Sequence, residues 1–205
     1  MAERGRPRGF DRDTALHKAM EVFWARGYDG ASMSELTAAM GIASPSLYAA
    51  FGCKEALFRE ALALYAATES DGIWGGVEAA PTAKEGCVGM LMATARVFTR
   101  PDKPSGCLLV LSALHVGDLS DTAREELVRA RAGAVAALEA RLRRGQAEGD
   151  VPDGADVRAV AIYLTTIQQG MSIQARDGAD RATLEALARS VMAGWDGLVA
   201  APSQD

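Results

Sequence analysis

Apolar residues recur along most of the chain at spacings of three and four, which is the period of a helix with one buried face. The alternating pattern of a half-buried strand is not found in the sequence. Glycine, proline and capping residues divide the apolar pattern into about nine helices. The predicted fold class is therefore all-α.

The most regular segment lies in the first third of the chain. A first helix ends at Gly27, and a second opens with the capping box Ser32-x-x-Glu35 and stops at Gly41. Ser44 and Pro45 then predict an N-cap and the first residue of a third, very short helix. Two short helices joined by a tight glycine-containing turn have the organisation of a helix-turn-helix.

The outward side of this third helix is expected to carry small or hydroxylated residues: Ser44, Pro45, Ser46, Tyr48 and Ala49. Small side chains let a helix approach a nucleic-acid duplex closely. Hydroxyl groups and the free N–H groups of a helix N-terminus suit phosphate oxygens. This surface is therefore a candidate nucleic-acid interface.

Beyond this segment the pattern predicts a glycine-rich loop over Ser70–Pro81 and a buried central helix over Cys107–Val116, which is apolar on all sides. A long helix follows and ends near Gly149. Two strong apolar stripes, at about 156–174 and 181–199, exceed what one small domain needs. They predict a dimer through a four-helix bundle, and the alternative is that they only close the core of one protomer.

Composition places the chain among ordinary globular proteins, with 49% hydrophobic and 24% charged residues. The net charge is −5, but residues 1–60 are balanced, so the excess of acidic residues lies in 61–205. An anionic partner should therefore meet the N-terminal third. There Arg4, Arg6 and Arg8 form a flexible basic arm that could enter a minor groove, or else a plain basic tail.

The remaining composition favours the cytoplasm. No run is long enough to span a membrane, and no apolar stretch follows the N-terminal arginines as a secretory signal requires. The three cysteines lack metal-ligand spacing, so we expect neither metal nor cofactor. The two histidines are far apart in sequence and no catalytic motif occurs, so no catalytic residue is assigned.

The segment AMEVFWARGYDGASMSELTAAMGIASPSLYAAFGCKEALFREAL, Ala19 to Leu62, resembles the DNA-binding domain of the TetR family of bacterial transcriptional regulators. The matching positions are Phe23, Gly27, Tyr28, Ser32, Leu36, Gly41, Ile42, Ser46, Leu47, Tyr48, Phe51, Lys54, Glu55 and Leu57. Two residues depart from the family pattern. Cys53 stands where a better capping residue is usual, and Ala49 where a polar residue often contacts DNA, which leaves few side chains for reading bases.

The resemblance implies that Ser32, Tyr48 and Lys54 bind phosphates, while Ser44, Pro45, Ser46 and Ala49 face the major groove. It implies a DNA-binding domain over residues 1–66 and a ligand-binding and dimerisation domain over 67–205. A homodimer would bind a near-palindromic operator in double-stranded DNA and would be released by a small-molecule inducer. Repression is favoured and activation stays open. Tyr48 could instead be half-buried, and Lys54 could be an ordinary solvated charge.

Within the second domain, Cys107 is a candidate for the ligand pocket because it lies at the N-terminus of the predicted central helix, where the helix dipole favours a thiolate. An inert, packed thiol is the alternative. The weaker pocket candidates are polar residues on apolar helices: Arg96, His115, Gln168 and Gln169. The candidate dimer residues are Val160, Leu164, Leu187, Val191 and Trp195. The rival hypothesis is a helical small-molecule binding protein or enzyme without a role on DNA.

Overall fold

A computed structural model describes residues 10–114 and 119–200, which contain helices and no strand. The predicted all-α class is confirmed. In these two ranges, eight helices have at least eight residues and three have four residues. The eight longer helices are α1 (Arg12–Gly30), α2 (Met33–Met40), α3 (Ser44–Phe51), α4 (Lys54–Thr68), α6 (Ala83–Phe98), α8 (Asp121–Glu148), α9 (Val157–Arg176) and α10 (Arg181–Ala193). The short helices are α5 (Asp71–Trp74), α7 (Leu108–Leu111) and α11 (Trp195–Leu198), and a 3-10 turn, Ser112–Leu114, follows α7.

The first four helices pack around aromatic side chains supplied by α1 and α4. The ring of Phe23 meets that of Phe58 edge to face at 5.0 Å between centroids, and Tyr28 lies 5.1 Å from Phe58. Leu47 from α3 is completely buried beside them. Such offset and edge-on ring pairs contribute beyond the area they bury. They hold α2 and α3 in a fixed orientation on α1.

Local signals set the boundaries of α2 and α3. The predicted capping box is present: the Ser32 hydroxyl accepts from Glu35 N, and the Glu35 carboxylate accepts from Ser32 N. Gly41 ends α2 in the left-handed conformation at φ 67°, as a C-terminal glycine commonly does. One predicted boundary is wrong by a residue. Ala43 is the N-cap of α3, so Ser44 and Pro45 are its first two helical residues.

The second half of the chain is a bundle in which α10 packs on α6 and α8 packs on α9. The long predicted helix is α8, and Gly149 ends it with φ 83°. The predicted loop over Ser70–Pro81 is mostly turn but contains α5, with Ile73 buried against the core. The predicted helix over Cys107–Val116 is wrong in its extent, because only the four residues of α7 are α-helical before the 3-10 turn.

The N-terminal helices are tied to the bundle through the end of α1. The indole Nε1 of Trp24 donates to the carbonyl of Gly106 at 3.2 Å, just before α7. Arg176, at the end of α9, donates to the carbonyls of Trp24 and Ala25 at 2.6 and 2.8 Å. The backbone at Gly27 is non-helical, with φ 73°, so α1 is interrupted there and these two carbonyls lie at the interruption. Arg176 therefore caps the broken helix from the other half of the molecule.

Candidate functional site

The turn between α2 and α3 presents α3 on the surface of the molecule. Gly41 N donates to Ala38 O and Ile42 N donates to Thr37 O, which closes the end of α2. The chain then reverses within three residues and enters α3, whose buried side consists of Leu47 and Phe51. This is the helix-turn-helix arrangement expected from the sequence.

The exposed side of α3 is small and hydroxylated. Tyr48 is 51% exposed, so its ring is not part of the core and its hydroxyl faces solvent. Ser44, Pro45 and Ala49 are also exposed, and Ser46 is half-buried beside them. No side chain caps the N-terminus of α3. Tyr48 is therefore a large exposed side chain among small ones on this side of α3.

Ser32 lies at the exposed N-terminus of α2, at the other edge of the same surface. Its hydroxyl accepts from Glu35 N at 3.1 Å and lies 3.0 Å from the Ser34 hydroxyl. Two serine hydroxyls at a helix N-terminus make a favourable environment for a phosphate oxygen. The Ser32 hydroxyl also donates to the Glu35 carboxylate at 3.4 Å, so a phosphate bound here would replace that contact.

Lys54, the first residue of α4, lies with its ammonium 4.5 Å above the ring of Tyr28. No carboxylate within 4.0 Å pairs with this ammonium in the described part of the chain, so a cation–π contact positions a charge that remains available to an anion. Cys53, which the sequence marked as an unusual capping residue, does cap α4 by accepting from Ala56 N at 3.4 Å. Arg4, Arg6 and Arg8 of the predicted arm lie outside the described residues.

A second candidate site is a partly open cavity of about 320 Å³ in the bundle, lined by α4, α5, α7, α8 and α9. It contains three of the residues that the sequence predicted for a ligand pocket, Cys107, Gln168 and Gln169. The other lining residues are Tyr65, Ala66, Ser70, Ile73, Trp74, Leu109, Val110, Ala130, Arg131, Gly133, Ala134 and Ala137. Concave, mostly apolar spaces with a few polar groups are typical of small-molecule sites.

The thiol of Cys107 is buried, and burial raises its pKa despite a hydrogen bond from the Tyr65 hydroxyl. The sequence hypothesis of a helix-stabilised thiolate is therefore wrong for this conformation. The physical reason is that α7 is a single turn, whose dipole is too weak to offset desolvation of the charged sulfur. Cys107 lines the cavity as a neutral thiol, which favours the packing alternative.

Two of the predicted pocket residues are not found in the cavity. Arg96 is exposed on α6, and its guanidinium donates to the carbonyl of Gly72 at 3.4 Å, so it does not line this cavity and its role stays a prediction. His115 lies outside the described residues. The sequence reasoning in turn missed Arg131. Its position four residues after Leu127 and seven before Leu138, on the buried face of α8, was the available signal.

The predicted dimer residues divide into two groups. Val160, Leu164 and Trp195 are buried inside the protomer, so they cannot form a surface for a second copy. These three residues close the core of one protomer instead, which was the alternative interpretation of the two apolar stripes. Leu187 is exposed and Val191 half-exposed on α10. The exposed apolar side chains of α9 are others, Ile162, Tyr163 and Ile173.

The described residues contain no group of three or more histidine, cysteine or acidic residues placed to hold a metal ion. Within residues 10–114 and 119–200, no helix has the length and apolar character that crossing a bilayer requires.

Two family models match the chain. Residues 15–61 match bacterial regulatory proteins of the tetR family, and residues 87–191 match the tetracyclin repressor-like C-terminal domain. The first match covers the helix-turn-helix and the second covers most of the bundle that holds the cavity.

Individual relatives agree with these models over nearly the whole chain. The HTH-type transcriptional repressor ComR of Escherichia coli is 37% identical over 201 residues, which cover 96% of this chain and 94% of ComR. The HTH-type transcriptional repressor BdcR of E. coli is 30% identical over 85% of this chain and 83% of BdcR. A cysteine mutant of the TetR family regulator CifR, solved with 26-bp double-strand operator DNA, is 44% identical with a TM-score of 0.89, covering 93% of this chain and 100% of CifR.

Proposed function

The chain belongs to the TetR family of bacterial regulatory proteins, and on this premise we propose that it represses transcription as a cytoplasmic homodimer that a small molecule releases from its operator. It is a DNA-binding transcriptional regulator rather than an enzyme. The observation that carries the function is the exposed α3 on its helix-turn-helix, with Tyr48 projecting from a surface of small side chains. The proposed division keeps residues 1–66 as the DNA-binding domain and 67–205 as the regulatory domain.

On DNA, α3 would lie in the major groove, with Ser44, Pro45, Ser46 and Ala49 against the base edges. Tyr48 and Ser32 would each bind a phosphate oxygen through a hydroxyl, and the Lys54 ammonium would bind another. Because this face holds few long polar side chains, part of the sequence preference should come from DNA shape and from close approach rather than from many direct hydrogen bonds. Arg4, Arg6 and Arg8 would add contacts in the neighbouring minor groove.

Dimerisation is supported by apolar side chains left exposed on α9 and α10. Ile162 and Tyr163 are 45% and 43% exposed, and Leu187 and Val191 extend an apolar stripe along α10. Gly170 has open space beyond its Cα, which allows a second helix to approach closely. Two copies joined here would read two half-sites separated by about one helical turn or a multiple of it.

Release requires the ligand to favour a conformation in which the two α3 helices no longer match the operator. A route between the cavity and the DNA-binding helices is available. Tyr65 lines the cavity, and its ring packs edge-on against Trp24 of α1 at 4.9 Å. Trp24 also bonds to Gly106, next to the cavity residue Cys107. A ligand that moves Tyr65 or the Gly106–Leu111 segment would therefore shift α1.

A salt titration of operator binding separates this function from that of a ligand-binding protein with no role on DNA. The full chain and duplexes from the region upstream of its own gene, 26 bp long as in the CifR complex, would be compared with scrambled duplexes. Specific retention with affinity falling steeply with salt supports the proposal. Binding no tighter than to scrambled DNA contradicts it.

Variants assign the contacts. Lys54→Ala should weaken binding to all duplexes and lower the salt slope by about one, and Tyr48→Phe should weaken binding with the slope unchanged. Lys84→Ala, which removes an exposed lysine on α6, is the matched control. An unchanged affinity and slope in Lys54→Ala would remove Lys54 from the interface.

The oligomeric state is tested separately by light scattering. A dimer has twice the protomer mass of 21.5 kDa, and Leu187→Glu should reduce the mass to that of one protomer. A single-protomer mass for the unmodified chain in dilute solution contradicts the dimer.

A further inference from the structure

We infer that the cavity binds a small organic carboxylate with a compact apolar body, whose carboxylate is held by Arg131 and the amide of Gln168. This inference rests on the proposed function, because it names the chemical class of the molecule that would release the operator. Four observations on the cavity wall support it.

The first observation is the charge of Arg131. Its side chain is half-buried on α8, and Nη1 donates to the carbonyl of Leu109 at 3.2 Å. Within the described part of the chain, no carboxylate forms a salt bridge with this guanidinium. Desolvation lowers its pKa, which reflects the cost of holding the cation away from water. A guanidinium carries five N–H donors, so most of them remain for a ligand that lines up beside it.

The second observation is Gln168 on α9. Its side chain lines the cavity and is only 6% exposed, yet its amide has no hydrogen-bond partner among the described residues. The amide is not sealed from solvent, so it opens on the cavity and its N–H groups are free to donate to a molecule there. A ligand oxygen can therefore accept a hydrogen bond from this amide.

The third observation is the net positive charge of the residues that line the cavity. Arg131 is the one lining residue with a formal charge among those that the structure describes, since no acidic residue lines the cavity and burial keeps Cys107 protonated. A cationic ligand would meet the uncompensated like charge of the half-buried Arg131. A neutral ligand would leave the cation unpaired. An anion offsets the desolvation of Arg131 and is the charge type that the cavity favours.

The fourth observation concerns the apolar part of the cavity wall and the volume of the cavity. Trp74, Ile73 and Val110 make one apolar wall, while the residues that α8 contributes besides Arg131 are small, Ala134 and Gly133 among them. The volume of about 320 Å³ lies at the small end of the roughly 300–1,000 Å³ range of ligand sites. The apolar part of the ligand should therefore be an aromatic ring or a short branched chain, and not a long acyl chain.

The test uses pairs of compounds that differ only in charge. Benzoate and phenylacetate would be titrated by calorimetry into the full chain at neutral pH, each beside its neutral amide, benzamide or phenylacetamide. Each carboxylate is expected to bind at least about tenfold more tightly than its amide, the factor expected of a charge-assisted hydrogen bond. Equal affinities within a pair, or no binding by any carboxylate, would overturn the inference.

Three variants locate the effect. Arg131→Gln should abolish the preference for the carboxylate, Arg131→Lys should retain part of it, and Gln168→Leu should weaken both members of a pair. Arg129→Gln is the control, because Arg129 lies on the same helix but is exposed and pairs with Glu125 at 3.4 Å. A preference retained in Arg131→Gln would overturn the inference. Far-UV circular dichroism checks that each variant is folded. If Arg131→Gln unfolds, Arg131→Lys is the deciding variant. Loss of carboxylate binding in a folded Arg131→Lys would then count against the inference.

Operator binding is measured in a separate assay, so the two proposals fail separately. If the chain retains operator DNA but none of the carboxylates binds to it, the ligand class is wrong and the regulator stands. If the chain binds the carboxylates with the expected preference but no upstream duplex, the ligand class stands and the proposed operator binding is contradicted.

Discussion

Gly106 is a position where a single added methyl group should strongly destabilise the fold. Its backbone has φ 79°, in the left-handed region, and it lies between the Trp24 indole and α9. A Cβ there would lie 2.6 Å from the backbone oxygen of Ser172 and 2.9 Å from its hydroxyl oxygen. That hydroxyl accepts a hydrogen bond from Cys107 N at 2.8 Å, so displacing Ser172 would also disturb the wall of the cavity.

The expected cost of Gly106→Ala has two parts. A non-glycine residue in the left-handed region costs about 1–2 kcal/mol, and overpacking against a fixed backbone atom costs about 1–3 kcal/mol. We therefore expect the free energy of unfolding to fall by about 2–5 kcal/mol. Urea unfolding followed by circular dichroism measures it, at one protein concentration because a dimer is stabilised by mass action.

Gly149→Ala is the matched control. Gly149 ends α8 with φ 83°, nearly the same strain, but a Cβ there meets nothing within 4 Å. Both substitutions also restrict the unfolded chain equally, so that contribution cancels in the comparison. Gly106→Ala should therefore cost about 1–3 kcal/mol more than Gly149→Ala. Equal losses for the two variants would refute the reasoning from the contact with Ser172.

Two other buried groups allow equally direct tests. Burial raises the pKa of Cys87 to about 12, so above about pH 9 the folded thiol stays protonated while the unfolded thiol ionises. The free energy of unfolding should therefore fall as pH rises above about 9. Cys87→Ala should reduce the slope of unfolding free energy against pH by up to ~1.4 kcal/mol per pH unit. Iodoacetamide at neutral pH should label the exposed Cys53 well before Cys87, as peptide mass spectrometry would show. Arg141 is fully buried with Asp150 at 3.8 Å, so Arg141→Met should cost about 3–5 kcal/mol in urea unfolding, whereas Arg143→Met, at an exposed pair on the same helix, should cost under about 1 kcal/mol.

The DNA-binding helices could be predicted from the sequence because their signals act within one or two turns of the chain. Ser32 and Glu35 cap each other across three residues, and Gly41 ends α2 by its own backbone conformation. The exposure of Tyr48 follows from the buried position of Leu47 beside it on so short a helix. A slip of one residue at the start of α3 arose because Ser44 is a good capping residue that the chain does not use as one.

The bundle could not be predicted to the same depth, because its packing joins residues far apart in the chain. An apolar stripe predicts that one face of a helix is covered, but not what covers it. Leu164 faces the protomer core and Leu187 faces solvent, and only the arrangement of the helices decides which side chains are buried within one protomer. Tertiary packing likewise brought Arg131 and Gln168 to one cavity from different helices. It also desolvated Cys107, so its thiol is neutral where helix position alone predicted a thiolate. Local sequence fixes where helices begin and end, whereas burial, and with it charge state and ligand chemistry, depends on neighbours that only the folded chain supplies.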